Sequence, residues 1–430
     1  MRKGVLTVLA MLFMLMSHAQ NGTYVGGDIS MLPEYESSST KYLDAGGNVI
    51  PDLIPWLMTD CGWNTFRVRL FVNPDKTQKG TGVVQDIDYV KALGKRIKAA
   101  GANLILDFHY SDTWADPSNQ KLPASWSACV TAQQKADKIY AYTKECLEAM
   151  KAEGAAPDLV QVGNETTYGM AGIKVHPYDY SGDDWDGMLA ALKAGCRAVR
   201  ESLPQAKIII HTERSGNATQ TSYYYNKIKD VDYDVIGLSY YPFFHGSLPL
   251  LKATLLRLAA DFPDKKVHIV ETAYPIQWWP DEAKYDTRSM WPVEEGKCDG
   301  QFAYLKDLIA TLAEYPQVDG LNWWFPEEAG NGDAANWTTM EGIVISSWLN
   351  RGMWWPSVSN GGHWPLTTSE GGVLWEMKKF LNPQTSGIGN IVATERESAI
   401  YNLNGQYVGI EMKTLPKGIY IRNNKKYIIQ

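Results

Sequence analysis

Eight short β-rich runs alternate with helix-period stretches between Gly22 and about Leu381, and this alternation restricts the fold more than any other feature of the chain. The runs are 24–29, 65–71, 103–108, 159–162, 207–210, 235–239, 267–270 and 320–324. Between them apolar residues return every three or four positions: Ile87, Val90, Leu93 and Ile97, then Ala136, Ile139, Thr143, Cys146 and Met150. Leu248, Leu251, Leu255, Leu258 and Phe262 repeat the spacing, as do Phe302, Leu305, Leu308 and Leu312. Such spacing lines one face of a helix, and Gly154 supplies a stop signal after the second series. Strands and helices in strict alternation predict an α/β fold, a (β/α)8 TIM barrel. The competitor is a doubly wound open sheet with a Gly-rich phosphate turn after its first strand. Gly26-Gly27-Asp28 is not G-x-G-x-x-G, so the barrel is preferred.

Both ends fall outside the pattern. Arg2 and Lys3, the apolar run from Val5 to Met16 and Ser17-His18-Ala19 before Gln20 have the layout of a secretory signal peptide over residues 1–19. That run is too short to span a bilayer, no later stretch reaches about 18 apolar residues, and no Cys follows it to take a lipid anchor. A periplasmic or extracellular protein is expected. The barrel then occupies 20–383. Residues 384–430 read as a linker and a short C-terminal β-rich tail or module, with turn signals at Asn404-Gly405 and Asn423-Asn424. Leu415-Pro416-Lys417-Gly418-Ile419-Tyr420 resembles part of the small C-terminal β modules on exported proteins of Bacteroidetes.

Lys and Arg total 41 against 48 Asp and Glu, and no basic stripe interrupts that balance, which argues against a nucleic-acid partner. The five Cys are odd in number, widely spaced and lack a C-x-x-C pair. Cys146 and Cys196 fall on predicted helices and read as small core hydrophobes; one disulfide among the five stays open.

In a barrel the chemistry sits at the C-terminal ends of the strands. The fourth run leads into Gly163-Asn164-Glu165 and the seventh into Glu271-Thr272, so each places a carboxylate where an apolar run stops. One such Glu is more often solvated or salt-bridged. Two facing a common cleft satisfy glycoside hydrolysis: one, protonated, donates to the leaving oxygen, and the other attacks or activates water. Asn164 is placed to hold a sugar hydroxyl.

Asn-Glu after strand four and Glu after strand seven resemble the clan of retaining (β/α)8 glycosidases. Four further motifs narrow the match: Gly26-Gly27-Asp28-Ile29-Ser30, Arg67-Val68-Arg69-Leu70-Phe71, Leu106 to Pro117, and Gly237 to Gly246. Together they are similar to glycoside hydrolase family 53, the endo-β-1,4-galactanases that cut galactan side chains of pectin, over roughly Gly22 to Leu381. The resemblance implies that Glu165 is the acid/base and Glu271 the nucleophile of a retaining double displacement on galactan or type I arabinogalactan. It implies no organic cofactor, and a monomer is expected.

The same resemblance gives the neighbours roles. Arg67 and Arg69 share one face of strand two, and at least one is expected beside Glu271 to keep it ionised. Tyr240 is expected to donate its hydroxyl to Glu271. Asp107, His109 and Asp112 are expected at sugar hydroxyls, with His211 a further member. Tryptophans gather in the same loops: Trp114, Trp126, Trp278, Trp279, Trp323, Trp324, Trp337, Trp348, Trp354 and Trp355. Trp324 or Trp323 is expected to floor the cleaved-sugar subsite, with Trp114 next.

Family members commonly continue past Asn-Glu with an aliphatic residue and a later Trp-Pro, whereas Thr166-Thr167-Tyr168-Gly169-Met170-Ala171-Gly172 follows here, so the adjacent subsites and product length are open. Some bacterial members carry calcium after strand seven; Asp281, Glu282 and Asp286 are acidic there but lack the spacing of a loop cage. Scattered His and no H-E-x-x-H argue against a metal hydrolase, and no G-x-S-x-G elbow supports a Ser nucleophile. A non-catalytic carbohydrate-binding barrel has no need of both glutamates. The serious alternative is another endo-glycosidase of the clan, acting on β-mannan or β-glucan.

Overall fold

The computed structural model describes residues 24–37, 42, 44, 48–77, 82–275, 279–293, 299–328, 376–381, 400–402, 407–409, 417–422 and 425–429. Eight parallel strands run β1 (Tyr24–Asp28), β2 (Thr65–Leu70), β3 (Asn103–Phe108), β4 (Leu159–Val162), β5 (Lys207–Thr212), β6 (Val235–Tyr240), β7 (Lys266–Thr272) and β8 (Val318–Trp324). They close into a barrel in chain order, with β1 paired to both β2 and β8.

Nine α-helices are described: α1 (Leu32–Ser37), α2 (Leu53–Thr59), α3 (Ile87–Ala99), α4 (Ala132–Ala152), α5 (Trp185–Ser202), α6 (Ala218–Lys227), α7 (Pro242–His245), α8 (Leu248–Asp261) and α9 (Asp299–Leu312). Local chemistry sets their ends. Asp86 caps α3 by accepting from the Tyr89 N–H. Thr131 and Gln134 cap α4 reciprocally, and Gly154, at φ +73°, follows its last turn. The periodic residues are the buried ones: Val90, Leu93 and Ile97 on α3, and Ala136, Ile139, Thr143, Cys146 and Met150 on α4. Cys61, Cys129, Cys146 and Cys196 are free thiols. Cys298 lies outside the described residues.

Side chains alternate along each strand. Ile105, Leu159, Ile209, Val235 and Val270 form a small buried cluster of their own. Two positions further along β3, β4 and β5 the residues become Asp107, Gln161 and His211, all buried and polar. The sequence thus turns polar as the strands approach their C-terminal ends. Gly320 makes room within this layer, because a Cβ there would stand 2.0 Å from the His268 ring.

One irregularity matters for the site. Gly237 pairs with His268 but Ser239 with Glu271, so β7 holds one residue more than β6 over that stretch. The β8 ladder shifts between the same positions. A bulge of this kind reverses the in–out alternation beyond it, so Glu271 faces the way His268 does instead of following Val267 and Ile269 outward.

The chain divides into two compact units, the second beginning at Asn382. In the second, Ile400–Asn402, Tyr407–Gly409, Gly418–Arg422 and Lys425–Ile429 form a four-stranded sheet. The strands flanking both turn signals pair antiparallel; the turn residues, like residues 1–19 and the linker, lie outside the described residues. No described helix is long and apolar enough to cross a membrane.

Candidate active site

Arg67 is the electrostatic centre of the barrel mouth. Its guanidinium is fully buried and reaches Asp28 Oδ2 at 2.8 Å, Asp107 Oδ2 at 2.8 Å and Glu271 Oε1 at 2.9 Å. It also donates to Asn164 Oδ1 at 2.9 Å and Gln161 Oε1 at 3.3 Å. A buried cation needs this many partners, since an unpaired one is far too costly to desolvate. The planar fork lets one residue of β2 tie β1, β3, β4 and β7 together. Burial opposes ionisation of Asp107, but Arg67 and His109 outweigh it and hold the carboxyl below its ordinary range. His109 Nε2 lies 3.0 Å from that carboxylate, and its Nδ1 accepts from the Ala115 N–H at 3.0 Å.

Glu165 follows β4 in the left-handed region, at φ 43° and ψ 54°. That conformation costs a non-glycine residue about 1–3 kcal/mol and concentrates at functional sites. Gly163, at φ +88°, starts the same turn. The turn brings two consecutive side chains to the mouth: Asn164 Oδ1 to Arg67, and Glu165 Oε1 to Ser239 Oγ at 2.7 Å. Since Ser239 donates to Glu165, its oxygen accepts from His211 Nε2 at 2.9 Å. His211 Nδ1 lies 3.0 Å from Gln161 Nε2, 3.0 Å from Asn164 Oδ1 and 3.4 Å from the Glu165 backbone nitrogen. Burial and Arg67 hold the His211 pKa well below the usual value, in keeping with the neutral ring.

Glu271 receives Arg67 on one oxygen and, on the other, the Tyr241 hydroxyl at 2.8 Å and Ser239 Oγ at 3.4 Å. Burial, then Glu271 and Glu213, push the Glu165 pKa well above the carboxylate range. Burial also raises that of Glu271, but Arg67 and Tyr241 oppose the rise. The two carboxyls are therefore asymmetric in their surroundings: burial and neighbouring carboxyls favour the protonated form of Glu165, whereas Arg67 and Tyr241 favour the ionised form of Glu271.

The aromatic wall stands on the side of β2, β3 and β8. Arg69 pairs with Asp28 at 3.1 Å, and its guanidinium carbon sits 4.8 Å from the Trp114 ring, 5.6 Å from Trp324 and 5.1 Å from Phe325. Trp114 and Trp324 themselves lie 6.1 Å apart.

The structure brings together Glu165, Glu271, Asn164, Arg67, Asp107, His109 and His211, with Arg69, Trp114 and Trp324 beside them. It corrects three expectations. Tyr240 donates to Gly246 O at 2.8 Å, and Tyr241 meets Glu271 instead; on a pleated strand Tyr240 points away from the face shared by Ser239 and Tyr241. Trp323 is fully buried, 6.4 Å from the Tyr304 ring of α9, and does not floor the mouth. Asp112 accepts from the Ala124 N–H at 2.8 Å and so fixes a loop. Trp126 likewise packs on Tyr110 and Tyr142. Trp278, Trp337, Trp348, Trp354 and Trp355 lie outside the described residues.

Ser239, Tyr241, Gln161, Asp28 and Glu213 are site residues that the strand-end reading passed over. Glu213 lies two residues past His211, so strand parity pointed to it; Ser239 and Tyr241 flank Tyr240 at odd steps, and no site residue had been named on β1 or within β4 to point to Asp28 or Gln161. Calcium does not fit the described residues of the loop after β7. Arg288 takes both oxygens of Asp286, at 2.9 and 2.6 Å, and no group of three or more His, Cys, Asp or Glu among the described residues could hold a metal ion.

Comparison with known proteins gives the same picture. A family model described as glycosyl hydrolase family 53 matches residues 24–354. An arabinogalactan endo-β-1,4-galactanase of Cellvibrio japonicus is 35% identical over 290 residues, 64% of this chain and 73% of that one. A protein of Aspergillus terreus described as a probable arabinogalactan endo-β-1,4-galactanase A is 32% identical over 319 residues, 71% of this chain and 85% of that one. A solved structure from a study of two fungal β-1,4-galactanases superposes with a TM-score of 0.67 and 26% identity, covering 83% of this chain and 99% of that one.

Proposed function

This chain belongs to glycosyl hydrolase family 53, and on that footing we propose that it is a retaining endo-β-1,4-galactanase whose acid/base is Glu165 and whose nucleophile is Glu271. Galactanase relatives from a bacterium and a fungus support the activity. In the first step Glu271 attacks the anomeric carbon while Glu165 gives its proton to the departing glycosidic oxygen, leaving a covalent glycosyl-enzyme. In the second, Glu165 takes a proton from water, which displaces Glu271 and releases the sugar with its original configuration. Arg67 and Tyr241 favour the ionised form that Glu271 needs for attack; burial beside two other carboxyls favours the protonated form that Glu165 needs for donation.

One observation carries the retaining assignment. Ser239 Oγ lies 2.7 Å from Glu165 Oε1 and 3.4 Å from Glu271 Oε2. Those two oxygens are therefore at most about 6 Å apart, which favours the close carboxyl pair of a retaining enzyme over the wider gap in which an inverting enzyme holds its water.

The proposed substrate is galactan or type I arabinogalactan of pectin, attacked by a monomeric protein exported through residues 1–19. The catalytic part is assigned to 20–383, and 384–430 to a linker and small β module. Reducing-sugar release and product sizing on galactan, arabinogalactan, mannan, xylan and cellulose test the substrate. Short oligomers from the galactans alone are expected; activity confined to mannan or a glucan would overturn the assignment.

A further inference from the structure

We propose that the loop after β4 carries an aromatic subsite for the β-1,4-linked galactosyl units on the leaving-group side of the cleft; this rests on the galactanase reading above. The loop departs from Glu165 itself. Tyr168, three residues on, is half-buried, and the Arg214 guanidinium, beyond the end of β5, sits 4.9 Å from its ring and 2.5 Å from its hydroxyl. A tight hairpin follows, with Gly169 at φ +120° and its absent Cβ 1.9 Å from Ile173 O. It returns the chain so that the Val175 N–H donates to Tyr168 O at 3.3 Å.

Three further rings stand on this root. His176 lies 5.6 Å from Tyr168, 5.3 Å from Tyr178 and 4.3 Å from Tyr180. Tyr178 is 44% exposed and Tyr180 56%. The cluster is fixed from below. Asp183, whose side chain is 4% exposed, holds His176 Nδ1 at 2.6 Å and accepts from the His176 N–H at 3.1 Å and Trp185 Nε1 at 3.2 Å. Between the two exposed tyrosines, Asp179 accepts from the Tyr223 hydroxyl of α6 at 2.7 Å. Exposed aromatic rings held at so many points are an apolar, wet surface maintained in place, and such a surface signals a binding site.

Topology says what it binds. In an eight-stranded barrel β4 stands opposite β8. In the wall next to the Arg67–Glu271 pair, where the sugar that becomes bonded to Glu271 must sit, Trp324 and Phe325 stand at β8, with Arg69 of β2 and Trp114 after β3 packed beside them. The leaving chain departs on the side of the acid, Glu165, and so runs out over the β4 loop. Its units are uncharged rings with an apolar C–H face and hydroxyl edges. Tyrosine rings with flanking hydroxyls match that chemistry.

The test compares Tyr178→Ala and Tyr180→Ala with a control at an exposed apolar residue of the outer helix α8, Leu256→Ala. Each is assayed on galactan and on a nitrophenyl β-1,4-galactobioside, whose leaving group has no sugar to place on this loop. For each tyrosine variant the ratio of kcat/KM on galactan to kcat/KM on the aryl glycoside should fall roughly threefold or more, as expected for one lost aromatic contact, while the control keeps the wild-type ratio. Unaltered ratios in both tyrosine variants, with an active wild type, would overturn the subsite alone. A folded wild type that cleaves neither substrate would overturn the galactanase reading and this subsite with it.

Discussion

Ser239 donates its hydroxyl to Glu165, with Oγ 2.7 Å from Oε1, and in turn accepts from His211 Nε2 at 2.9 Å. A hydrogen bond to the ionised form of a carboxyl lowers its pKa. Ser239 thus tempers the rise that burial, Glu271 and Glu213 impose on Glu165. In Ser239→Ala the Glu165 pKa should climb further, so the alkaline limb of kcat/KM moves to higher pH. A pH–rate profile measures this; a limb displaced toward acid would contradict it.

Tyr241 and Tyr240 are neighbours with opposite duties. Tyr241→Phe removes a hydrogen bond to a charged carboxylate, worth about 1.5–3 kcal/mol, and should lower kcat/KM roughly tenfold to a hundredfold. It should also move the acid limb to higher pH, because Glu271 loses a group that favours its ionised form. Tyr240→Phe should leave kcat near wild type and cost about 1 kcal/mol of stability, since Gly246 O loses its donor. Steady-state kinetics and thermal melting separate the two.

The raised pKa of Glu165 is also a stability statement. With a folded pKa above the unfolded one, the folded state holds the proton more tightly, so stability falls as pH rises from the ordinary glutamate range through the raised pKa. Glu165→Gln removes that loss. It should raise the melting temperature at neutral pH, with the gain shrinking as pH falls toward about 4. An equal gain at both pH values would point to another cause.

Arg67→Lys keeps the charge but supplies one ammonium where a guanidinium meets Asp28, Asp107 and Glu271. At least one carboxylate is left buried without its cation, at a cost of about 3–5 kcal/mol. Denaturant unfolding should show a lower midpoint with an unchanged slope. A midpoint shift too small to resolve would mean that the three pairs are far weaker than their geometry implies.

Much of this was legible in the sequence because barrel folding follows period. The 3.6-residue spacing of Val90, Leu93 and Ile97 buries one face of α3, and the ends of β4 and β7 put Glu165 and Glu271 at the mouth. Parity along a strand would have separated Tyr241 from Tyr240 and Trp324 from Trp323, had one inward residue of each strand been known. Glu271 itself escapes parity, because the extra residue in β7 resets the alternation before it. The left-handed turn at Glu165 is equally silent: Gly163 hints at a bend, but nothing in Asn164-Glu165 says that both side chains will face the cleft. Ser239 is short and chemically ordinary. Its importance comes from lying between two carboxylates contributed by other strands.

The separate roles of Glu165 and Glu271 are tested most directly by azide rescue of Glu165→Ala and Glu271→Ala on a nitrophenyl β-1,4-galactobioside, whose leaving group needs no acid. In Glu165→Ala the glycosyl-enzyme still forms on Glu271, so azide should restore turnover and give the β-glycosyl azide. In Glu271→Ala azide takes the place of the missing nucleophile and should give the α-azide. NMR of the isolated products reads the anomer. The opposite pairing of anomers, or wild-type turnover in either variant without azide, would contradict the assignment of acid/base and nucleophile.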